Sequence, residues 1–181
     1  YRYMKYPTNG KYKWLSILKN IVSIVNPNKI VELGSGSGDT TITMALSCIE
    51  NNIEVSINSY DLWNNSYWGD YQKTLDNYKK WNVSEYINLY NRDFYDWVET
   101  GEEFDLLYFD IDNDSSKLLT LYNKVKSQIE SGSVVLFEGG STIRPGFEEA
   151  KSIIDYTVLT GDIKYSVSII YDKKKYNLRF E

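Results

Sequence analysis

Histidine does not occur anywhere in this sequence, which removes Ser-His and Cys-His catalysis and the usual zinc ligands. Cysteine occurs once, at Cys48, so the chain has neither an internal disulfide framework nor a multi-cysteine metal site. Because Cys48 falls among Ile42, Met44, Leu46 and Ile49, it reads as a buried helix position rather than a nucleophile. No apolar stretch reaches the roughly 18 to 20 residues that span a bilayer, and the amino-terminal residues mix Tyr, Lys and Asn without a signal-peptide core. The expectation is a soluble, cytoplasmic protein with no membrane partner. Its start at Tyr1 rather than Met suits a trimmed chain or one domain of something longer. Cations are also outnumbered, 20 Lys and Arg against 25 Asp and Glu, and a net charge of −5 argues against a nucleic-acid footprint. The one basic run, Lys173 to Lys175, reads as a hairpin tip.

What remains is a chain of 181 residues, 42% of them hydrophobic, which suits a single domain with a real core. Trp14, Ile17, Leu18, Ile21, Val22 and Val25 keep helical spacing until Asn26-Pro27 stops them. Ile30 to Leu33 predicts a first strand, 39–50 a helix, 54–60 a second strand ending at Asp61, 67–80 a helix and 86–90 a third strand. The uninterrupted apolar runs 104–109 and 134–137 suit strands covered on both faces, with a helix through Leu118, Leu119, Tyr122, Val125 and Ile129 between them. Alternating strands and helices predict an α/β domain with a mostly parallel sheet. The tail differs: Tyr165 to Tyr171 and Tyr176 to Phe180 alternate on either side of 172–175, the pattern of an antiparallel hairpin.

The stretch "VELGSGSGDTT", residues 31–41, sets Gly34, Gly36 and Gly38 at alternate positions between the first strand and the helix after it. In a doubly wound sheet this loop faces the ligand; glycines let a ligand approach the main chain, and the helix start offers unpaired N–H groups. The pattern is not that of a dinucleotide loop, since Asp39 stands where the third glycine belongs, and it lacks the Lys-Ser or Lys-Thr pair of a P-loop. An aspartate there repels a pyrophosphate and tolerates a cationic or zwitterionic ligand.

"VELGSGSGDTT" resembles the E/D-x-G-x-G-x-G signature of the class I S-adenosylmethionine-dependent methyltransferases, with Glu32 in the acidic position. The resemblance implies a Rossmann-like fold with a mostly parallel seven-stranded sheet, and S-adenosylmethionine as cofactor. It places Glu32 near the methionine end of that cofactor, directly or through water, and Gly34, Ser35, Gly36 and Gly38 beneath it. Asp61, closing the second strand, is placed to accept both ribose hydroxyls. "YDLW", which includes Leu62 and Trp63, resembles the D-x-W variant of small-molecule methyltransferases. "NRDFYDW" is similar to the segment that flanks adenine, through Asp93 and Phe94, although Asp93 equally suits a helix cap. "FDLLYFDIDND" and "SGSVVLFEGGS" are similar to the fourth and fifth strands of the catechol-type and family 24 branch.

The chain departs from that branch at Ile111 and Asn113, where relatives often have Gly and His. With no histidine base, a carboxylate does that work, a metal lowers the acceptor's pKa, or the acceptor needs no base. Asp110 and Glu138 are the candidate catalytic residues, Asp110 for deprotonation or metal binding and also as a cofactor contact. Glu138 either shapes the acceptor pocket or ends a strand in a turn. Asp110, Asp112, Asp114 and Glu138 are candidate oxygen ligands for magnesium, while Asp112 and Asp114 also suit solvent or a cap. Residues 1–27, with Tyr1, Tyr3, Tyr6 and Tyr12, form the helical segment that in the family often covers the active site. Trp63 and Trp68 flank the adenosine edge or belong to the core, and Arg144 suits an anionic acceptor or the surface. The implied reaction is methyl transfer to an O or N nucleophile of a small polar molecule such as a sugar. A non-catalytic module of the same fold, or an NAD-dependent oxidoreductase, is the alternative, the latter disfavoured by G-x-G-x-G.

Overall fold

The computed structural model of the protein describes residues 13–64, 69–143, 146–160, 166–176 and 178. Helix α1 (Lys13–Val25) buries Trp14, Leu15, Leu18, Ile21 and Val22 and stops where Asn26 turns left-handed before Pro27. There follow β1 (Lys29–Leu33), α2 (Asp39–Glu50), β2 (Ser56–Asp61), α3 (Tyr71–Lys80), a single 3-10 turn, β3 (Ile87–Asn91), α4 (Phe94–Val98) and β4 (Leu106–Phe109). The chain continues through α5 (Ser115–Glu130), β5 (Val134–Glu138), α6 (Glu148–Ile153), β6 (Thr157–Val158) and β7 (Val167–Ile170).

The sheet has seven strands in the order β3-β2-β1-β4-β5-β7-β6. Strands β1 to β5 are parallel, β7 lies antiparallel to β5, and β6 antiparallel to β7. The order reverses between β1 and β4, so the loops that leave these two strands diverge and open a crevice at their carboxyl ends. Ile30, Leu106, Tyr108, Val134 and Leu136 pack with α1, α2 and Tyr78 of α3 on one face. Val31, Leu33, Leu107, Phe109, Val135 and Phe137 pack with α4, α5 and α6 on the other. Both faces are therefore apolar, which is why β4 and β5 carry unbroken hydrophobic runs. Cys48 lies inside the first of these cores, and burial pushes its thiol up to about 12, as expected of a structural cysteine.

The α/β architecture and the mostly parallel sheet agree with the expectation, and α2 has the expected bounds. Three features differ. Helices α4 and α6, of 5 and 6 residues, are too short to show a period. Helix α3 begins at Tyr71, where the Asp70 carboxylate accepts from the Lys73 N–H as a cap, and residues 67 and 68 lie outside the described residues. The C-terminal antiparallel strands are present, but β7 takes β5 and the two-residue β6 as its partners. The 172–175 turn does form, closed by Lys175 N–H and Tyr176 N–H on the Asp172 carbonyl, while Tyr176 and Leu178 pack against the core outside any strand. Tyr165 and Phe180 lie outside the described residues, as do Tyr1, Tyr3, Tyr6 and Tyr12. Among the described residues no helix is long and apolar enough to cross a membrane.

Candidate active site

A cleft of about 1000 Å³ opens at the carboxyl ends of β1, β2 and β4, at the large end of the range for small-molecule sites. Its wall takes in residues 33–37, Asp39 and Thr40 from the glycine loop and α2, and 60–64 from the end of β2. Residues 92–95, after β3, extend the β2 side, 110–113, Lys117 and Glu138 come from the far side of the switch point, and Trp14, Gly69 and Lys73 complete the lining.

The loop is pressed against its neighbours by backbone contacts. Gly34 N–H donates to the Tyr60 carbonyl at 2.9 Å, and Asp110 N–H donates to the Leu33 carbonyl at 2.8 Å. Gly34 has φ +97°, and a Cβ there would lie 2.0 Å from the Asp110 carbonyl oxygen, so no other residue fits without moving the β4 loop. Gly38 then turns left-handed and α2 starts with no capping side chain.

Glu32 does not reach this wall. Strand alternation turns it to the face of Ile30, where it is completely buried beneath α2, with Thr40, Thr41 and Ser59 donating their hydroxyls to its carboxylate, the last at 2.6 Å. Burial raises its pKa, the three hydroxyls pull the other way, and Asp61 adds to the rise. The folded chain thus holds this proton to higher pH than the unfolded chain does. The stability it contributes is complete below the ordinary value of 4.5 and is lost as pH rises through the folded value. Glu32→Gln, neutral throughout, is expected to flatten that decline in urea unfolding midpoints measured from about pH 4 to about pH 8. Parallel curves for the two proteins would assign the decline to another group.

Asp61 is on the wall. Its carboxylate accepts from Gly36 N–H at 2.7 Å and from Trp63 N–H at 2.9 Å, which ties the end of β2 to the middle of the glycine loop. The Gly36 carbonyl in turn accepts from the Trp63 indole at 3.0 Å and from the Thr74 hydroxyl at 2.8 Å. Trp63 therefore braces the loop, standing edge-on to Tyr71 with ring centroids 5.1 Å apart. Leu62, Asp93 and Phe94 line the same side of the cleft, and Asp93 caps α4 by accepting from Tyr95 N–H at 2.8 Å. Ser35 belongs to the wall, and its hydroxyl lies 3.0 Å from that of Tyr78 on α3.

Asp110 and Glu138 both line the cleft, and Glu138 also ends β5 in the turn at Gly139. The magnesium set is not assembled: among the described residues no three of His, Cys, Asp and Glu form a group able to hold a metal ion. Asp112 is drawn to Lys117 at 2.5 Å, and Asp114 caps α5 by accepting from Ser116 N–H at 2.8 Å. No role is assigned to magnesium. Trp68 and Arg144 lie outside the described residues.

Several cleft residues carried no sequence signal of their own. Lys73, Arg92 and Lys117 come from α3, the end of β3 and α5, and only the topology gathers them. The hydrogen bond from Lys117 to Asp112 raises the lysine pKa, so it stays a cation. Tyr60 is fixed by Glu102, whose carboxylate accepts from its hydroxyl at 2.8 Å, from the Trp97 indole at 2.7 Å and from Asn58 at 2.6 Å. Burial works to raise the Glu102 pKa, but these donors and Lys29 bring it below the usual value.

A parallel sheet with this order, a glycine loop after β1 and a carboxylate closing β2 define the nucleotide-binding class of α/β enzymes. Residues 31–138, more than half of the chain, match the family model described as a methyltransferase domain of family 24. The protein belongs to this family of class I S-adenosylmethionine-dependent methyltransferases. A search of curated proteins gives no match. Among solved structures, the chain is similar to the O-methyltransferase from Bacillus cereus in complex with S-adenosylhomocysteine, at 14% identity and a TM-score of 0.66, over 92% of this chain and 84% of that one. It is similar to the O-methyltransferase TomG from Streptomyces achromogenes, involved in tomaymycin synthesis and solved with S-adenosylmethionine, at 12% identity and a TM-score of 0.67, over 91% and 82%. A methyltransferase of Podospora anserina bound to S-adenosylhomocysteine matches at 14% identity and a TM-score of 0.66, over 90% and 79%. At these identities the likeness is one of fold.

Proposed function

We propose that the protein binds S-adenosylmethionine in this cleft and transfers its methyl group to an oxygen or nitrogen of a small polar molecule, such as a sugar, held beside it. The observation that carries the reading is Asp61: a carboxylate at the end of β2, on the cleft wall and hydrogen-bonded to the glycine loop. A carboxylate so placed suits a vicinal diol, because it accepts from two hydroxyls at once. The surrounding charge agrees, since Asp39, Asp61, Asp93, Asp110, Asp112 and Glu138 outnumber Lys73, Arg92 and Lys117 on the wall, which favours a cation over a polyphosphate. Leu62 and Phe94 offer apolar surface for a base beside Asp93.

Bound S-adenosylmethionine supplies an activated methyl carbon, whose sulfur keeps the bonding electron pair when the methyl leaves. The protein's share is alignment, exclusion of water and disposal of one proton. The acceptor's lone pair forms the new bond, and Asp110 takes the proton that this oxygen or nitrogen releases. Glu138, across the β4–β5 edge, orients the acceptor. Lys117, held as a cation by Asp112, is not a base.

Calorimetry of the wild-type protein with S-adenosylhomocysteine, with NAD as the control, tests the cofactor. Once an acceptor is found by S-adenosylhomocysteine release from a metabolite pool, Asp110→Asn is expected to lower kcat about a hundredfold, with the cofactor KM nearly unchanged. Glu138→Gln should act mainly on the acceptor KM. A wild-type kcat in Asp110→Asn would remove it from the role of base.

A further inference from the structure

The glycine loop is fastened from behind by a buried row of hydroxyls that runs from α3 to Glu32. The Ser35 hydroxyl lies 3.0 Å from that of Tyr78, Tyr78 donates to the Thr41 hydroxyl at 2.9 Å, and Thr41 donates to the Glu32 carboxylate. Each hydroxyl has one proton, so with Thr41 donating to the ionised Glu32 carboxylate and Tyr78 to Thr41, Ser35 is left to donate to Tyr78. All four side chains are buried, and neither Tyr78 nor Glu32 is on the cleft wall. The Tyr78 ring also occupies the space under Gly38, where a Cβ would lie 2.5 Å from ring carbon Cε1.

A residue needed only for bulk would be apolar here, since a buried polar row is costly unless every member is satisfied. What the row adds is register. Ser35 begins the loop and Thr41 lies in the first turn of α2, and the Tyr78 hydroxyl ties one to the other across Gly36 and Gly38. A loop whose ends are tied keeps the shape its ligand needs, and the binding energy is not spent on ordering it.

We propose that Tyr78 is a positioning residue for the cofactor: through Ser35 on one side and Thr41 and Glu32 on the other, its hydroxyl holds the glycine loop in its binding shape. The proposal rests on the cleft being the S-adenosylmethionine site. Tyr78→Phe keeps the ring and removes only the hydroxyl; Ser35→Ala cuts the same link from the loop side. Each single variant is expected to weaken S-adenosylhomocysteine binding about five- to tenfold by calorimetry, and for Tyr78→Phe, whose ring is off the cleft wall, kcat at saturating cofactor stays within about twofold. The double variant should lose much less than the product of the two, because both changes cut one link. Circular dichroism and Tm confirm the fold, and if Tyr78→Phe does not fold, Ser35→Ala decides alone. Undiminished affinity in the folded variants, or fully multiplicative losses, overturns the proposal while leaving the site in place. Wild-type protein that fails to bind S-adenosylhomocysteine overturns the reading of the cleft, and this proposal with it.

Discussion

Replacing Asp61 with alanine is expected to weaken S-adenosylhomocysteine binding by about two orders of magnitude. Hydrogen bonds to a charged group are each worth about 1.5–3 kcal/mol, and losing the two ribose contacts proposed for it at the lower end of that range already gives about a hundredfold. The carboxylate also receives Gly36 N–H at 2.7 Å and Trp63 N–H at 2.9 Å, so its loss frees the loop that it pins at the same time as it removes a ligand contact. Asp61→Asn separates the two roles. Its amide oxygen still accepts from Gly36 N–H, while the charge is gone, and an intermediate loss of about tenfold is expected. Asp61 is also one of the groups that raise the pKa of Glu32, so the alanine variant should lose part of the decline in stability with rising pH described above. Calorimetry on both variants reads the first effect, and an alanine variant that binds as tightly as wild type would show that the cleft holds its ligand elsewhere.

The fold was legible wherever an element was long enough to repeat. Helix α2 runs for 12 residues between a glycine and an Asn51 cap, so both ends are marked, whereas α4 has 5 residues and β6 has 2 and neither contains a period to read. That Asp61 and the glycine loop share the cleft wall was legible because their placement follows from the chain itself, one at a strand end and the other in the loop after the first strand. Glu32 shows where that kind of reading stops. Its position on β1 was clear, but its environment depends on Thr40 and Thr41 from α2 and Ser59 from β2, which no local spacing brings together. The same holds for the metal expectation: the carboxylates after β4 and β5 are close in the sequence pattern, yet Asp112 is taken by Lys117 and Asp114 by the start of α5. Tyr78 had only a helical position to recommend it, and its hydroxyl acquires a role only once α3 is laid against the glycine loop.

Gly34→Ala is the variant expected to do the most damage from the smallest change, lowering Tm by about 10 °C and abolishing cofactor binding. Two costs combine. A side chain at φ +97° is strained wherever it stands, at about 1–3 kcal/mol. The new methyl would also lie 2.0 Å from the Asp110 carbonyl oxygen and 2.6 Å from its carbon, and both are backbone atoms that cannot rotate aside. The loop after β1 and the loop after β4 must therefore part, at a combined cost of about 3–5 kcal/mol, which for a chain of this size is about 10 °C. Parting them breaks the Asp110 N–H bond to the Leu33 carbonyl and carries Asp110 away from the glycine loop. Gly101→Ala isolates the backbone cost, because Gly101 has φ +66° with nothing within 4 Å of the added Cβ. That control should lose about 1 kcal/mol, or roughly 3 °C, and keep its affinity for S-adenosylhomocysteine. If Gly34→Ala proves as mild as Gly101→Ala in both calorimetric measurements, the two loops are not in contact at the switch point, and Asp110 loses the position from which it would take the acceptor's proton.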